Sequence, residues 1–94
     1  MYVILVYDIN LDEKEGSRVL TKVYKICKKY LNHIQNSVFE GELLESQVIN
    51  LKSELDKYIR STKDSVILFK SRNKRWLDKE FIGMIEEDKT SNFI

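Results

Sequence analysis

Six apolar or aromatic residues in succession, Tyr2-Val3-Ile4-Leu5-Val6-Tyr7, stop abruptly at Asp8-Ile9-Asn10. Such residues favour a pleated strand, and the lack of polar alternation predicts that both of its faces are covered. Residues 10–16 are polar and read as a loop in which Asp12 caps the next helix. That helix is predicted over 17–31, because Val19, Val23, Ile26 and Tyr30 recur at helical spacing while Leu20, Cys27 and Leu31 widen the stripe. Asn32-His33 ends it. Residues 34–40 read as extended, with Gly41 as the break; periodicity leaves open one bent strand or a tight hairpin. Leu44, Val48, Leu51, Leu55 and Ile59 share one face of a second predicted helix over 44–59. A turn at 61–64 leads into Ser65-Val66-Ile67-Leu68-Phe69, another strand without polar alternation. A further strand is expected over 76–82, ending at Gly83, and the sequence closes on an apolar tip, Phe93-Ile94.

This order of elements fits an α+β fold, a ferredoxin-like βαββαβ sheet with an added C-terminal strand. A single domain over 1–94 is expected, since the length suits one core and is too short for two. In such a sheet the two unalternating strands are expected side by side in the middle. Two helices cover only one sheet face, and the economical cover for the other is a second copy of the chain, in a symmetric homodimer.

Composition narrows the chemistry. One Cys and one His rule out an internal disulfide and a Cys/His zinc site within one chain. Any metal must be held by oxygen, which favours Mg²⁺ or Mn²⁺. The lone cysteine, with no secretory leader pattern and no long apolar stretch, points to a cytoplasmic protein without a membrane partner. A net charge of only +1 gives no general attraction to nucleic acid, so the distribution of charge has to supply it. Four of the six residues from 70 to 75 are basic (Lys70, Arg72, Lys74, Arg75), and Arg18, Lys22, Lys25 and Lys29 share one face of the first helix. Both groups suit a phosphate backbone, which takes point charges and needs no base contacts. A solvated helix face explains the helical group equally well.

Asp8 stands where a central strand ends, desolvated on one side and open on the other, a place suited to holding a cation. Phosphodiester hydrolysis needs charge neutralised on the phosphate and a water made nucleophilic, and an octahedral cation does both. Mg²⁺ is commonly held by one or two carboxylates plus substrate phosphate. One Asp8 per chain is a thin site, and a twofold axis supplies two. The competing use of a lone aspartate after a strand is an Asx-type hydrogen bond that caps the loop. Trp76 is expected in the core or an interface rather than stacked on a base. His33 is expected as a helix-exit cap or surface residue rather than a general base, and Cys27 as packing.

Tyr7-Asp8-Ile9, Arg18-Val19, the run Ile34-Gln35-Asn36-Ser37-Val38-Phe39-Glu40-Gly41-Glu42-Leu43 and the terminal Ser91-Asn92-Phe93-Ile94 together resemble the small CRISPR-associated endoribonuclease of the adaptation module, the Cas-two family. The stretch from Ser37 to Gly41 is the most specific part, and the resemblance covers nearly the whole chain. It implies a ferredoxin-like homodimer whose two Asp8 residues face each other, cleaving single-stranded RNA or duplex DNA with Mg²⁺. It also implies a role in spacer acquisition, bridging the integrase subunit and holding duplex pre-spacer DNA. By motif match Asp8 is the catalytic residue and metal ligand, with Tyr7, Arg18, Ser37 and Phe39 lining the cleft. The segment 84–94 is implied to pack on the partner's sheet. The chain departs from the family at His33, where arginine is frequent, and around Gly16, where the family often has another basic residue. Two alternatives stay open: a non-catalytic DNA-binding scaffold for the integrase, and a toxin-type RNA interferase on the same fold.

Overall fold

β1 (Tyr2–Asp8), α1 (Lys14–Tyr30), β2 (Asn32–Gln35), β3 (Val38–Glu42), α2 (Glu45–Asp56) and β4 (Ser65–Ser71) follow one another along the chain, and a 3-10 turn occupies Lys74–Trp76. The computed structural model describes residues 1–83; the expected packing of 84–94 on a partner lies outside them. The strands form one sheet in the order β2-β3-β1-β4, every neighbouring pair antiparallel. The fold is α+β. Val3, Leu5 and Tyr7 of β1 and Phe39 of β3 turn to one face, where Val19, Val23, Ile26 and Cys27 of α1 and Val48, Leu51 and Leu55 of α2 bury them. Glu54 joins the two helices by accepting hydrogen bonds from the Lys29 ammonium and the Tyr30 hydroxyl.

β1 and β4 lie side by side as expected, but the middle strands are β1 and β3, and β4 is an edge strand among the described residues. Nor is β4 covered on both faces. Val66 and Leu68 pack on the core, whereas Ile67 and Phe69, pointing the other way, are 51% and 54% exposed. With both helices on one side, residues of the opposite parity have no helix above them.

α1 begins at Lys14, three residues earlier than the polar stretch suggested. Asp12 does not cap it: Glu13 holds the cap position without a side-chain bond, and the Asp12 N–H donates instead to Asn10 Oδ1 at 2.8 Å. The extended stretch resolves as a hairpin, β2 to β3, turning at Asn36-Ser37. Asn36 takes φ 41°, a left-handed conformation that asparagine tolerates better than most residues. His33 lies inside β2 and is half-buried, its ring edge-on to Tyr24. The Asn36 carbonyl accepts from His33 Nε2 at 2.7 Å, which fixes the proton on that nitrogen. Gly41 does not break the strand but sits buried within β3.

The expected strand over 76–82 is absent among the described residues. Trp76 closes the 3-10 turn and is 73% exposed, so it is not a core residue in this chain. The Asn73 side chain stops β4 from running on: its Oδ1 accepts from the Arg75 N–H, and Ser71 Oγ donates to its carbonyl. Beyond the turn, residues 78–81 share a cleft with Ile4, Ile34 and Val38 on the helix-free face of the sheet.

Candidate metal and nucleic-acid site

Asp8 ends β1 opposite Ser65 of β4. Strand alternation turns it away from the helices, onto the face that carries Ile4 and Val6, which are paired with Phe69 and Ile67. Its carboxylate is exposed and makes no hydrogen bond or ion pair with the described residues. The Asx-type bond proposed for a lone strand-end aspartate belongs to Asn10 instead. Among the described residues no three His, Cys, Asp or Glu side chains gather to hold an ion. Asp8 therefore suits only a hard, hydrated cation that finds its other ligands on a second carboxylate or a phosphate.

Two residues to which the sequence reading gave no role, Asp64 in the expected turn and Arg60 just before it, anchor the loop after Asp8. The Asp64 side chain is fully buried and paired with Arg60. Arg60 Nε donates to Asp64 Oδ2 and Arg60 Nη2 to Asp64 Oδ1, each at 2.8 Å. The Arg60 N–H also reaches Oδ2, at 2.9 Å. These bonds hold the Asp64 carboxyl well below the usual carboxylate range, against the opposing effect of burial. The signal available in the sequence was an arginine and an aspartate four residues apart just before an apolar strand. A second buried carboxylate was also missed: Glu40, enclosed within β3, pairs with Lys79 from the segment that crosses the helix-free face.

On the helix side, a groove of about 580 Å³ is lined by Tyr7, Leu20, Thr21, Tyr24, Lys25, Asn36 and Ser37. Ser37 is tied to β1 because its carbonyl accepts from the Tyr7 N–H at 3.1 Å. Burial, followed by the neighbouring Cys27 and Tyr24, pushes the Tyr7 hydroxyl up to about 12, and burial alone does the same to the Cys27 thiol. Phe39 is fully buried and lies 6.0 Å from the Tyr7 ring, so it underlies this groove instead of opening onto it. Arg18 stands on the exposed face of α1 and is not among the lining residues. The structure thus brings Tyr7 and Ser37 together and leaves Asp8 on the opposite face of the sheet.

The basic residues are dispersed. Lys25 lies at the groove, Lys22 is half-buried, and Lys29 pairs with Glu54 at 2.5 Å. Lys70 lies with Val48 and Lys52 of α2, while Lys74 Nζ lies 5.9 Å from the Tyr2 ring, which strand alternation turns to the other face. Arg72 and Arg75 are exposed. The run from 70 to 75, continuous in sequence, is divided in space, with Lys70 and Lys74 on opposite faces of the sheet.

These features define a small α+β protein whose strand-end carboxylate has no bonding partner among the described residues and whose cations are dispersed over the surface. Residues 1–79 match the family described as CRISPR associated protein Cas2, and the chain belongs to that family, one of CRISPR adaptation. It is 62% identical to a CRISPR-associated endoribonuclease Cas2 of Fusobacterium nucleatum subsp. nucleatum, over all of this chain and 87% of the relative. A CRISPR-associated endoribonuclease Cas2 2 of Moorella thermoacetica is 41% identical, over 97% of this chain and 99% of its own. A crystal structure of a Cas2 superposes with TM-score 0.78 at 36% identity, covering 92% of this chain and 90% of the other. Streptococcus pyogenes Cas2 superposes with TM-score 0.71 at 29% identity, covering 86% and 100%.

Proposed function

We propose that this chain serves spacer acquisition as a ferredoxin-like homodimer. It binds nucleic acid, bridges the integrase subunit, and cleaves single-stranded RNA or duplex DNA with Mg²⁺ or Mn²⁺ held between the Asp8 residues of two copies. The observation that carries the reading is the state of Asp8: exposed, without a bonding partner among the described residues, beside neighbours that already meet the loop's hydrogen-bonding needs. It shares its face with Ile67 and Phe69, large apolar side chains left half open to water. A second copy laid on that face covers them and supplies the second carboxylate.

A bound Mg²⁺ supplies charge neutralisation at the phosphate and an activated water. The chain's own part is to hold and orient. Asp8 offers a charged oxygen from a rigid strand end, and the exposed Arg18, Lys25, Arg72 and Arg75 offer charges to the backbone on either side. The relatives' CRISPR-associated names lead away from a toxin-type interferase. The non-catalytic scaffold draws support from the single carboxylate each chain contributes.

Asp8→Asn separates the two readings, since it removes the charge and keeps the shape. Purified wild type and variant are assayed on labelled RNA and duplex DNA with Mg²⁺, and spacer acquisition is measured in cells. Cleavage falling to background in the variant, with duplex binding retained, is the expected result. Equal cleavage by both proteins rejects Asp8 as the metal ligand. Unimpaired acquisition by the variant favours the scaffold.

A further inference from the structure

The chain just after Asp8 is tied to a single ion pair, the buried Asp64 and the half-buried Arg60. The Asn10 N–H donates to Asp64 Oδ1 at 3.0 Å, and the Asn10 carbonyl accepts from Arg60 Nη2 at 2.7 Å. The peptide groups before and after Asn10 are therefore both held. Asp64 in turn directly precedes Ser65, the residue opposite Asp8 in the β1–β4 register. Asp8 is closed into a ring whose two fixed points, Asn10 and Ser65, are set by the same carboxylate. The first turn of α1 shuts the remaining side, because a Cβ on Gly16 would come within 2.2 Å of the Asn10 carbonyl oxygen. Buried ion pairs are seldom more stabilising than apolar residues of the same size, so what this one specifies is position.

We propose that Arg60 and Asp64 are positioning residues for the Asp8 carboxylate, holding the end of β1 at the place a divalent cation shared between two copies requires. The inference rests on the reading of Asp8 as a cation ligand. Mg²⁺ demands near-octahedral geometry with oxygens at about 2 Å, and a site left about 1 Å too loose is lost. Arg60 and Asp64 touch neither cation nor substrate. They act through the backbone of residues 8–10, in the way that outer-shell partners of metal ligands tune affinity by about 10–100-fold.

Mn²⁺ alone is the probe, titrated by electron paramagnetic resonance into the full chain as wild type, Asp8→Asn, Asp64→Asn and Arg60→Lys. Asp64→Asn keeps the side-chain shape and loses the charge; Arg60→Lys keeps the charge and loses the fork that reaches Asp64 and Asn10 together. Both are expected to weaken Mn²⁺ binding about tenfold with the fold and duplex DNA affinity retained, and Asp8→Asn is expected to abolish it. Unchanged Mn²⁺ affinity in a folded Asp64→Asn or Arg60→Lys overturns the positioning role and leaves Asp8 standing. Mn²⁺ binding that survives Asp8→Asn overturns the cation-ligand reading itself. Amide hydrogen exchange on the unaltered protein decides the matter if either variant unfolds. The Asn10 N–H should be protected to the level of Leu5 in mid-strand, and exchange at an open-loop rate rejects the proposal.

Discussion

Asp64 carries its charge into a space closed to water, and Arg60 is what keeps that charge favourable. The folded carboxyl titrates below its ordinary value of 3.8, so its contribution is complete above that value and drains away as the pH falls beneath it. Asp64→Ala leaves the half-buried Arg60 with only the Asn10 carbonyl and should destabilise the fold at neutral pH. The gap between urea melts of wild type and variant should begin to narrow as the pH falls below about 4, where the unfolded chain's carboxyl takes up a proton while the folded one still resists it. A gap that stays constant down to pH 3 would show that the residue acts by shape alone. The end of β1 at Asp8 was legible in the sequence because an unbroken apolar run stops there. Asp64 was not, because a turn aspartate before a strand looks the same whether it faces solvent or closes on Asn10, 54 residues away.

Elements were legible where one face repeats and obscure where a single residue's conformation decides. Both helices announced themselves through apolar stripes whose central residues reach the core, although Leu44 is exposed and Ile59 lies beyond the end of α2, and β1 through its unbroken run. The β2–β3 hairpin depends on one left-handed asparagine, a property no periodicity reveals. The start of α1 depends on Gly16, whose missing Cβ lets the helix close against the Asn10 carbonyl. Gly16→Ala would meet backbone atoms at 2.2 and 2.9 Å, whereas Gly41→Ala would meet the end of the Leu31 side chain at 3.2 Å. Backbone gives way less readily than a leucine methyl. Gly16→Ala should therefore destabilise by about 2 kcal/mol or more and Gly41→Ala by clearly less, as read by paired thermal melts. The reverse order would mean that the loop at Asn10 moves freely. Residues 76–82 were misread for a related reason: large apolar residues stand at both ends of the stretch without alternating, and the Asn73 side chain turns the chain away from the sheet before it.

For the molecule as a whole, the decisive asymmetry is between the two faces of one sheet. One carries both helices; the other carries Asp8, Ile67, Phe69 and the crossing segment held by Lys79 and Glu40. If that second face joins two copies, Phe69→Lys should turn a sedimenting dimer into a folded monomer and abolish Mg²⁺-dependent cleavage with it. A Phe69→Lys protein that remains dimeric would place the interface elsewhere. The strand order also governs when the protein can come into being. β1 is the first strand synthesised, yet its two neighbours are β3 and β4, and the latter is the last of the described strands. The sheet cannot be completed on the ribosome until residues 65–71 have emerged, so Tyr2 to Tyr7 must wait, with one edge still unpaired, for most of the chain's synthesis. Contacts of such long sequence separation fold slowly and leave strands exposed meanwhile. Loss of chaperone capacity should therefore reduce the yield of this protein before it reduces the activity of molecules already folded.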